Sequence, residues 1–432
     1  MRLIRELVYL HKLKKNQWKK YDELINNQNK KIRYMVDYAY NHVPFYKELF
    51  KKENIHPTDI KNAKDLNKIP LVSKEDLKNN FPDKIMSNEF DYKRCKIWDT
   101  SGSTGIPLKI AYEKKADDFA RAVLLRSYFS LGLKYFDKWC YIAPDEFKDE
   151  KEKGYFFTEK IGFISPYYIS IFLPIEKKIE LLKKFKPRIL ESLATDLYLI
   201  ARYIKENNIK GINPEITISN GELLDDYMRN YIKNVFNVDH FDVYGCMELR
   251  RNAWECQYHE GYHIDIDSIV MQFIKDEEDV SPGEKGNIVF TGLFNYAMPL
   301  IRYDIGDVGI PSSHMCSCGR GLPMMEILKG KLMDFILTTD GKLLSPHIFK
   351  RILMETDGIE LFKLVQLNKD KIKILIVKNE RYLLNQASNN ISSLLKQLLG
   401  QDISVEIEFV DEIKRQGRKY KVIESKLNTI KL

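Results

Sequence analysis

Between about Tyr92 and Gly330 the chain repeats one pattern: a short apolar run, a polar or glycine turn, then a helical stretch. The runs are "CKIWDT", "WCYIAP", "PRILES", "EITISN" and "HFDVYG", and helical stretches such as "DLYLIARYIKENN" and "DDYMRNYIKNVF" separate several of them. Strands of this kind bury themselves only under packed helices, so the alternation predicts an α/β layered domain with parallel-rich sheets. Ligands in such folds collect in the crevice beyond the carboxyl ends of the strands, which is where these polar turns fall.

The flanks read differently. From Met1 to about Phe90 the chain is charged and amphipathic; in "IRYMVDYAYNHVPFYKELF" apolar residues recur at three- and four-residue steps, and Pro44 interrupts them. From about Phe335, "LFKLVQLNKDKIKILIVK" predicts a hairpin turning at Asn368 to Asp370, "NNISSLLKQLLG" a helix ended by Gly400, and "ISVEIEFVDE" a half-buried strand. At 432 residues the chain exceeds one compact core. The expected organisation is a large α/β domain over residues 1–330, with a helical region at 1–90, and a small α+β domain over 331–432.

Charge and cysteine content narrow the function classes. Against 69 basic residues stand 61 acidic ones, spread along the whole length without an Arg-rich arm, so the excess reads as a Lys-rich solvated surface that suits an anionic small molecule. A nucleic-acid binder would show a basic stripe interleaved with aromatics, and none is present. Arg2, Arg5 and Glu6 interrupt the N-terminus as a signal peptide would not, and "YYISIFLP" falls far short of the ~18 apolar residues of a membrane span. Six cysteines are too few for a disulfide scaffold. The expectation is a cytoplasmic protein with no membrane span and reduced thiols.

Two groups of residues carry chemistry. Thr100, Ser101, Gly102, Ser103, Thr104 and Gly105 form "TSGSTG", a stretch too small and polar to pack a core. Successive backbone N–H groups in such a turn can converge on a phosphate, although a flexible turn has the same composition, and no Gly-Lys-Ser/Thr follows to make a Walker loop. The second group is "WECQYHEGYHID" with "HMCSCGRG". Cys256 and His263 form one pair of ligands and Cys316 and Cys318 another, a set suited to tetrahedral Zn²⁺ in a structural role, with His259 and His314 nearby; the alternative is reduced cysteines packing as small hydrophobes. Cys95 and Cys140 read as core, and Cys246 lies inside "YGCME".

"TSGSTG", "YGCMELRR", "PLIRYDIGDVG", "KGKLMDFI" and "RQGRKYKVIESK", in this order, resemble the adenylate-forming (ANL) superfamily, in particular its phenylacetate–CoA ligase branch and the CapK-like capsule-biosynthesis relatives. "YAYNHVPFYKELF" and "DLNKIPLVSKEDLKNNF" extend the resemblance to the N-terminal region. It implies that Thr100–Gly105 bind the ATP phosphates and that Asn220, Gly221 and Glu222 line the adenine side. It further implies that Tyr244 and Gly245 lie at the adenine, that Glu248 holds Mg²⁺, and that Asp307 and Lys331 serve the ribose. The segment around Asp334 would be the hinge of a mobile C-terminal domain, and Lys419 the catalytic lysine, with Lys421 as rival and a solvated Lys-rich tail as the bland reading. Some members of the branch carry a comparable Cys/His and Cys-x-Cys set.

The residue types suit the chemistry. A carboxylate must attack the α-phosphate of ATP, so two anions are brought together while Mg²⁺, a lysine and preorganised donors offset their charge. Ile106, Met247 and Lys331 depart from residues common in the superfamily, and lysine in place of arginine gives up a planar two-pronged contact. Three functions follow: an ATP-dependent ligase that passes an acyl group to coenzyme A, with an aromatic acid favoured by the resemblance; a CapK-like enzyme of surface-polysaccharide synthesis whose acceptor is an amine or hydroxyl on a sugar or carrier; and an inactive nucleotide-binding interaction protein.

Overall fold

A computed structural model of the chain describes residues 2–99, 108–144, 162–326, 330–331, 335–344, 346–380, 382, 384–415 and 420–427. The chain divides into two compact units: Met1–Leu224, Met228–Ile305 and Ile310–Ile327 form the first, and Asp225–Tyr227, Gly306–Gly309 and Leu328–Leu432 the second.

The first unit is built on a nine-stranded sheet. Its five parallel members lie in the order Tyr167–Ser170, Trp139–Ala143, Ile189–Leu193, Ile216–Asn220 and His240–Cys246. Four of the five expected strand runs are these strands, and helices Ala194–Glu206 and Asp226–Phe236 separate the last three as the alternation predicts. Beyond Cys246 the sheet turns antiparallel, through Arg250–Glu255, Tyr262–Ile264, Met324–Met325 and Pro311–Ser312. A second sheet carries Glu278–Asp279, Ile269–Lys275, Gly286–Gly292 and Tyr303–Gly309, and the first three pair antiparallel. The fifth expected run, Lys96–Asp99, forms a separate antiparallel pair with Lys109–Tyr112.

Helices Arg2–Asn16, Tyr21–His42, Pro44–Lys52 and Lys74–Asn80 lie in the N-terminal region, with Pro44 opening the third, where its missing N–H costs nothing. Polar clips fasten the first two to the segment Asp265–Ile269: Asn16 Nδ2 donates to Asp267 Oδ1 at 2.9 Å and Gln28 Nε2 to the Ile269 carbonyl at 2.7 Å. Helix Lys114–Ser130 packs beside the first helix and carries Arg126, wholly enclosed, whose guanidinium pairs with Asp265 and Asp267. Removing one partner of such a buried pair costs on the order of 3–5 kcal/mol, because a charge is left alone in low dielectric.

The second unit holds a four-stranded sheet in the order Ser404–Phe409, Lys371–Lys378, Ile359–Asn368 and Ile423–Ser425. The central hairpin turns after Asn368, and helix Leu384–Leu399 stops where Gly400 takes φ +121. Phe349, Phe362, Leu364, Ile374 and Leu395 form its core. Val405 and Ile407 pack against that core while Ser404, Glu406 and Glu408 face water, the period-two pattern of a half-buried strand. Among the described residues no helix is long and apolar enough to cross a membrane.

Candidate active site and metal centre

Parallel register brings the ends of three strands together. Leu193, Asn220 and Val243 are neighbours across the sheet, so "NGE" and "YGCME" emerge side by side at its carboxyl edge. The strand of Tyr244 kinks between Tyr244 and Gly245 and returns through residues 247–249 into Arg250–Glu255. Gly245 is obligatory at this bulge, since a Cβ there would lie 2.4 Å from the Arg250 carbonyl oxygen. Glu248 therefore occupies a tight turn and is only 6% exposed.

Two tyrosines hold it. The Tyr303 hydroxyl donates to Glu248 Oε1 at 3.1 Å, and the Tyr112 hydroxyl to the Glu248 backbone carbonyl at 2.7 Å. Burial pushes both phenols well above their ordinary range, and the Glu248 charge adds to the shift at Tyr303, so each stays a donor. Tyr112 ends the strand that leaves "TSGSTG", and Trp98 lies on the strand that enters it; the Arg250 guanidinium covers the Trp98 ring at 4.0 Å. One root of the small-residue segment thus touches the Glu248 turn and the other the strand that leaves it. Thr100–Gly105 and Ile106 themselves lie outside the described residues, as do Asp334 and Lys419.

The remaining expected positions are less uniform. Tyr244 is buried with its ring stacked on Phe290, centroids 6.3 Å apart. Gly221 takes φ +67, a turn that favours glycine. Glu222 Oε2 accepts from the Thr195 backbone N–H at 2.9 Å, where an anion complements the start of helix Ala194–Glu206. Asp307 and Lys331, both within the second unit, are Cα partners in an antiparallel pair. Lys421 lies 3.7 Å from Glu424. Sequence reasoning missed Glu191, Tyr128, Trp139 and Arg251, a buried polar network directly behind Asn220; the available signal was a glutamate in mid-strand. A groove of about 1000 Å³ beside the first helix, lined by Leu10, Lys14, Trp18, Tyr135, Phe136 and others, includes none of the expected site residues that are among the described residues.

Cys256, His263, Cys316 and Cys318 converge so that their ligand atoms all lie within 4.8 Å of one another. Cys256 Sγ and Cys316 Sγ are 3.6 Å apart, and Cys318 Sγ lies 3.4 Å from His263 Nε2. Tetrahedral zinc with ordinary bond lengths needs edges of about 3.8 Å between sulfurs and about 3.5 Å from sulfur to nitrogen. A disulfide needs about 2 Å, so these thiols are unbridged. Burial presses His263 down to about 3, which keeps its imidazole neutral as a ligand must be. His314 stands apart, 2.7 Å from Glu260 Oε2, and His259 stacks on Phe241. Of the cysteines expected in the core, Cys140 is fully buried, whereas Cys95 is half-exposed on the short segment leading into the Lys96–Asp99 strand.

Residues 336–426 match the CapK C-terminal domain family. The phenylacetate-coenzyme A ligase of Aromatoleum evansii is 27% identical over 365 residues, 81% of this chain and 79% of that one. Protein CapK of Staphylococcus aureus is 25% identical over 402 residues, 91% and 87% of the two chains. The chain is thus similar, over most of its length, to the phenylacetate–CoA ligase and CapK-like branch of the adenylate-forming superfamily. Its fold matches the crystal structure of 2-hydroxyisobutyryl-CoA ligase in the postadenylation state, with a TM-score of 0.79 at 16% identity, covering 95% of this chain and 91% of that one.

Proposed function

We propose that this chain is a member of the adenylate-forming superfamily, an ATP-dependent carboxylate-activating ligase that forms an acyl-adenylate and passes the acyl group to coenzyme A. The observation that carries this reading is the extent of the likeness to phenylacetate-coenzyme A ligases, which runs through about four fifths of both chains. The arrangement around Glu248 supports it. A buried carboxylate with one oxygen held by Tyr303 suits a Mg²⁺ ligand, and Glu248 is the residue that would bind the ion. When bound, Mg²⁺ would neutralise phosphate charge. The residues of this chain do the rest. Thr100–Gly105 would cradle the phosphates, Asn220, Gly221, Glu222, Tyr244 and Gly245 would border the adenine, and Asp307 and Lys331 would take the ribose. Lys419 would approach the α-phosphate as the acid's carboxylate attacks it, from a C-terminal domain that moves between the two half-reactions.

Zn²⁺ would sit among Cys256, His263, Cys316 and Cys318 as a structural ion, tying the Cys316–Cys318 turn to the antiparallel half of the main sheet. The cytoplasm is the compartment that keeps such thiols reduced. Likeness to Protein CapK through 91% of the chain supports a second reading, in which the acceptor is an amine or hydroxyl on a sugar or carrier. Mixing synthetic acyl-adenylate with coenzyme A tests the first reading. Rapid thioester formation is expected; acyl transfer only to an aminosugar or a carrier would install the second.

A further inference from the structure

Behind the carboxyl ends of the central strands a chain of hydrogen bonds terminates on Asn220. Glu191, 1% exposed, accepts three donors: the Trp139 indole N–H at 2.9 Å on Oε2, the Asn220 amide at 2.6 Å on Oε1, and the Tyr128 hydroxyl on that same oxygen. Chemistry fixes the direction of this chain. Arginine only donates, so Arg251 Nη2, 2.8 Å from the Tyr128 oxygen, leaves Tyr128's own proton for Glu191. Burial pushes the Glu191 carboxyl up, while the Tyr128 bond and the Arg251 charge oppose that shift. A carboxylate already receiving three donors has no proton to offer, so the Asn220 atom facing it is the NH₂ and not the carbonyl oxygen. Tyr141 hydrogen-bonds to the same side chain.

A planar amide held by its nitrogen turns its oxygen the other way. Asn220 is half-buried, at the last position of its strand, beside the Gly221 turn. We propose that Glu191 is a positioning residue for base selection: it locks Asn220 with Oδ1 presented as an acceptor, and Oδ1 reads the 6-amino group of adenine. This rests on the nucleotide-dependent ligase reading above. Adenine donates from position 6, whereas guanine and hypoxanthine carry an oxygen there. An asparagine free to rotate would satisfy either kind of base. One pinned by an acceptor-only partner sets oxygen against oxygen with the wrong purine, and unpaired polar atoms of that sort are what give a site its discrimination.

The test compares calorimetric binding of ATP with that of inosine triphosphate, which differs at position 6. The wild-type chain should prefer ATP by about tenfold or more. Asn220→Ala should abolish the preference, Glu191→Met should lose most of it with Asn220 still present, and the double variant should lose no more than Asn220→Ala alone. General loosening of the fold lowers both affinities alike, so their ratio isolates positioning from stability. A crystal structure with AMP reads the same contact without a variant, and decides the matter if Glu191→Met does not fold. Asn220 Oδ1 should lie within about 3.2 Å of the 6-amino nitrogen while Nδ2 stays on Glu191. Equal wild-type affinities, a folded Glu191→Met that keeps the full preference, or an AMP complex with Asn220 turned from the base would each overturn the proposal and leave the ligase reading standing. A chain that binds no nucleotide would overturn both.

Discussion

Tyr303 and Tyr112 grip Glu248 from two sides, one at the carboxylate and one at the backbone carbonyl. Glu248→Ala should abolish carboxylate-dependent exchange of pyrophosphate into ATP, while Tyr303→Phe, which removes one hydrogen bond to a charged group, should lower kcat/KM by roughly tenfold. Unchanged exchange in Glu248→Ala would take that residue out of the Mg²⁺ role. Elsewhere in the same sheet, Asp242 is pushed up to about 7 by burial and by the Glu255 charge, against the Ser219, Arg229 and Tyr262 contacts. A carboxyl whose folded pKa exceeds its unfolded value of ~3.9 favours the native state while protonated. That contribution is whole below about pH 4 and is lost as the pH rises through about 7. The non-ionising Asp242→Asn should therefore gain melting temperature on the wild type as pH climbs from about 5 to about 8, and parallel profiles would contradict this. Glu248 could be found from its neighbours in the chain because a strand-turn motif is contiguous. Glu191 could not, since its partners Tyr128, Asn220 and Trp139 are 63, 29 and 52 positions away and meet only through packing.

Elements were legible where one period dominated. Four of the five parallel strands and the helices Ala194–Glu206 and Asp226–Phe236 follow from apolar runs and three- or four-residue steps, as does the hairpin around Asn368, whereas the edge strand Tyr167–Ser170 is not among the expected runs. What periodicity could not convey is how polar the interior contacts of helix Lys114–Ser130 are: Arg126 looks like a surface residue until Asp265 and Asp267 are brought to it from far along the chain. The cysteine cluster shows the reverse case. Its two pairs of ligands sit on separate elements, and their convergence to edges of 3.6 and 3.4 Å leaves room for one ion. Protein purified without chelators should carry about one zinc per chain, and Cys316→Ser should lose the metal and melt at lower temperature. A metal-free wild type that melts no lower than a zinc-supplemented sample would return the cluster to simple packing.

At the scale of the molecule, the order of motifs was the decisive signal, because short polar segments scattered from Thr100 to Lys419 have no common local pattern. The small α+β unit stood out through its own hairpin, helix and edge strand. Its proposed part is to deliver Lys419 for the first half-reaction only. Lys419→Ala should cripple adenylate formation by about a hundredfold or more yet spare conversion of preformed acyl-adenylate to thioester, as loss of one charge-stabilising group in a transition state does. If Lys421→Ala behaves this way instead, the catalytic lysine is two positions further on. The central claim is that this chain joins a carboxylate to the α-phosphate of ATP, and the direct measurement is exchange of labelled pyrophosphate into ATP across a panel of carboxylic acids. The account predicts exchange that requires Mg²⁺ and appears with at least one acid, aromatic acids foremost. Absence of acid-dependent exchange throughout the panel, from a folded chain that binds ATP, would contradict it.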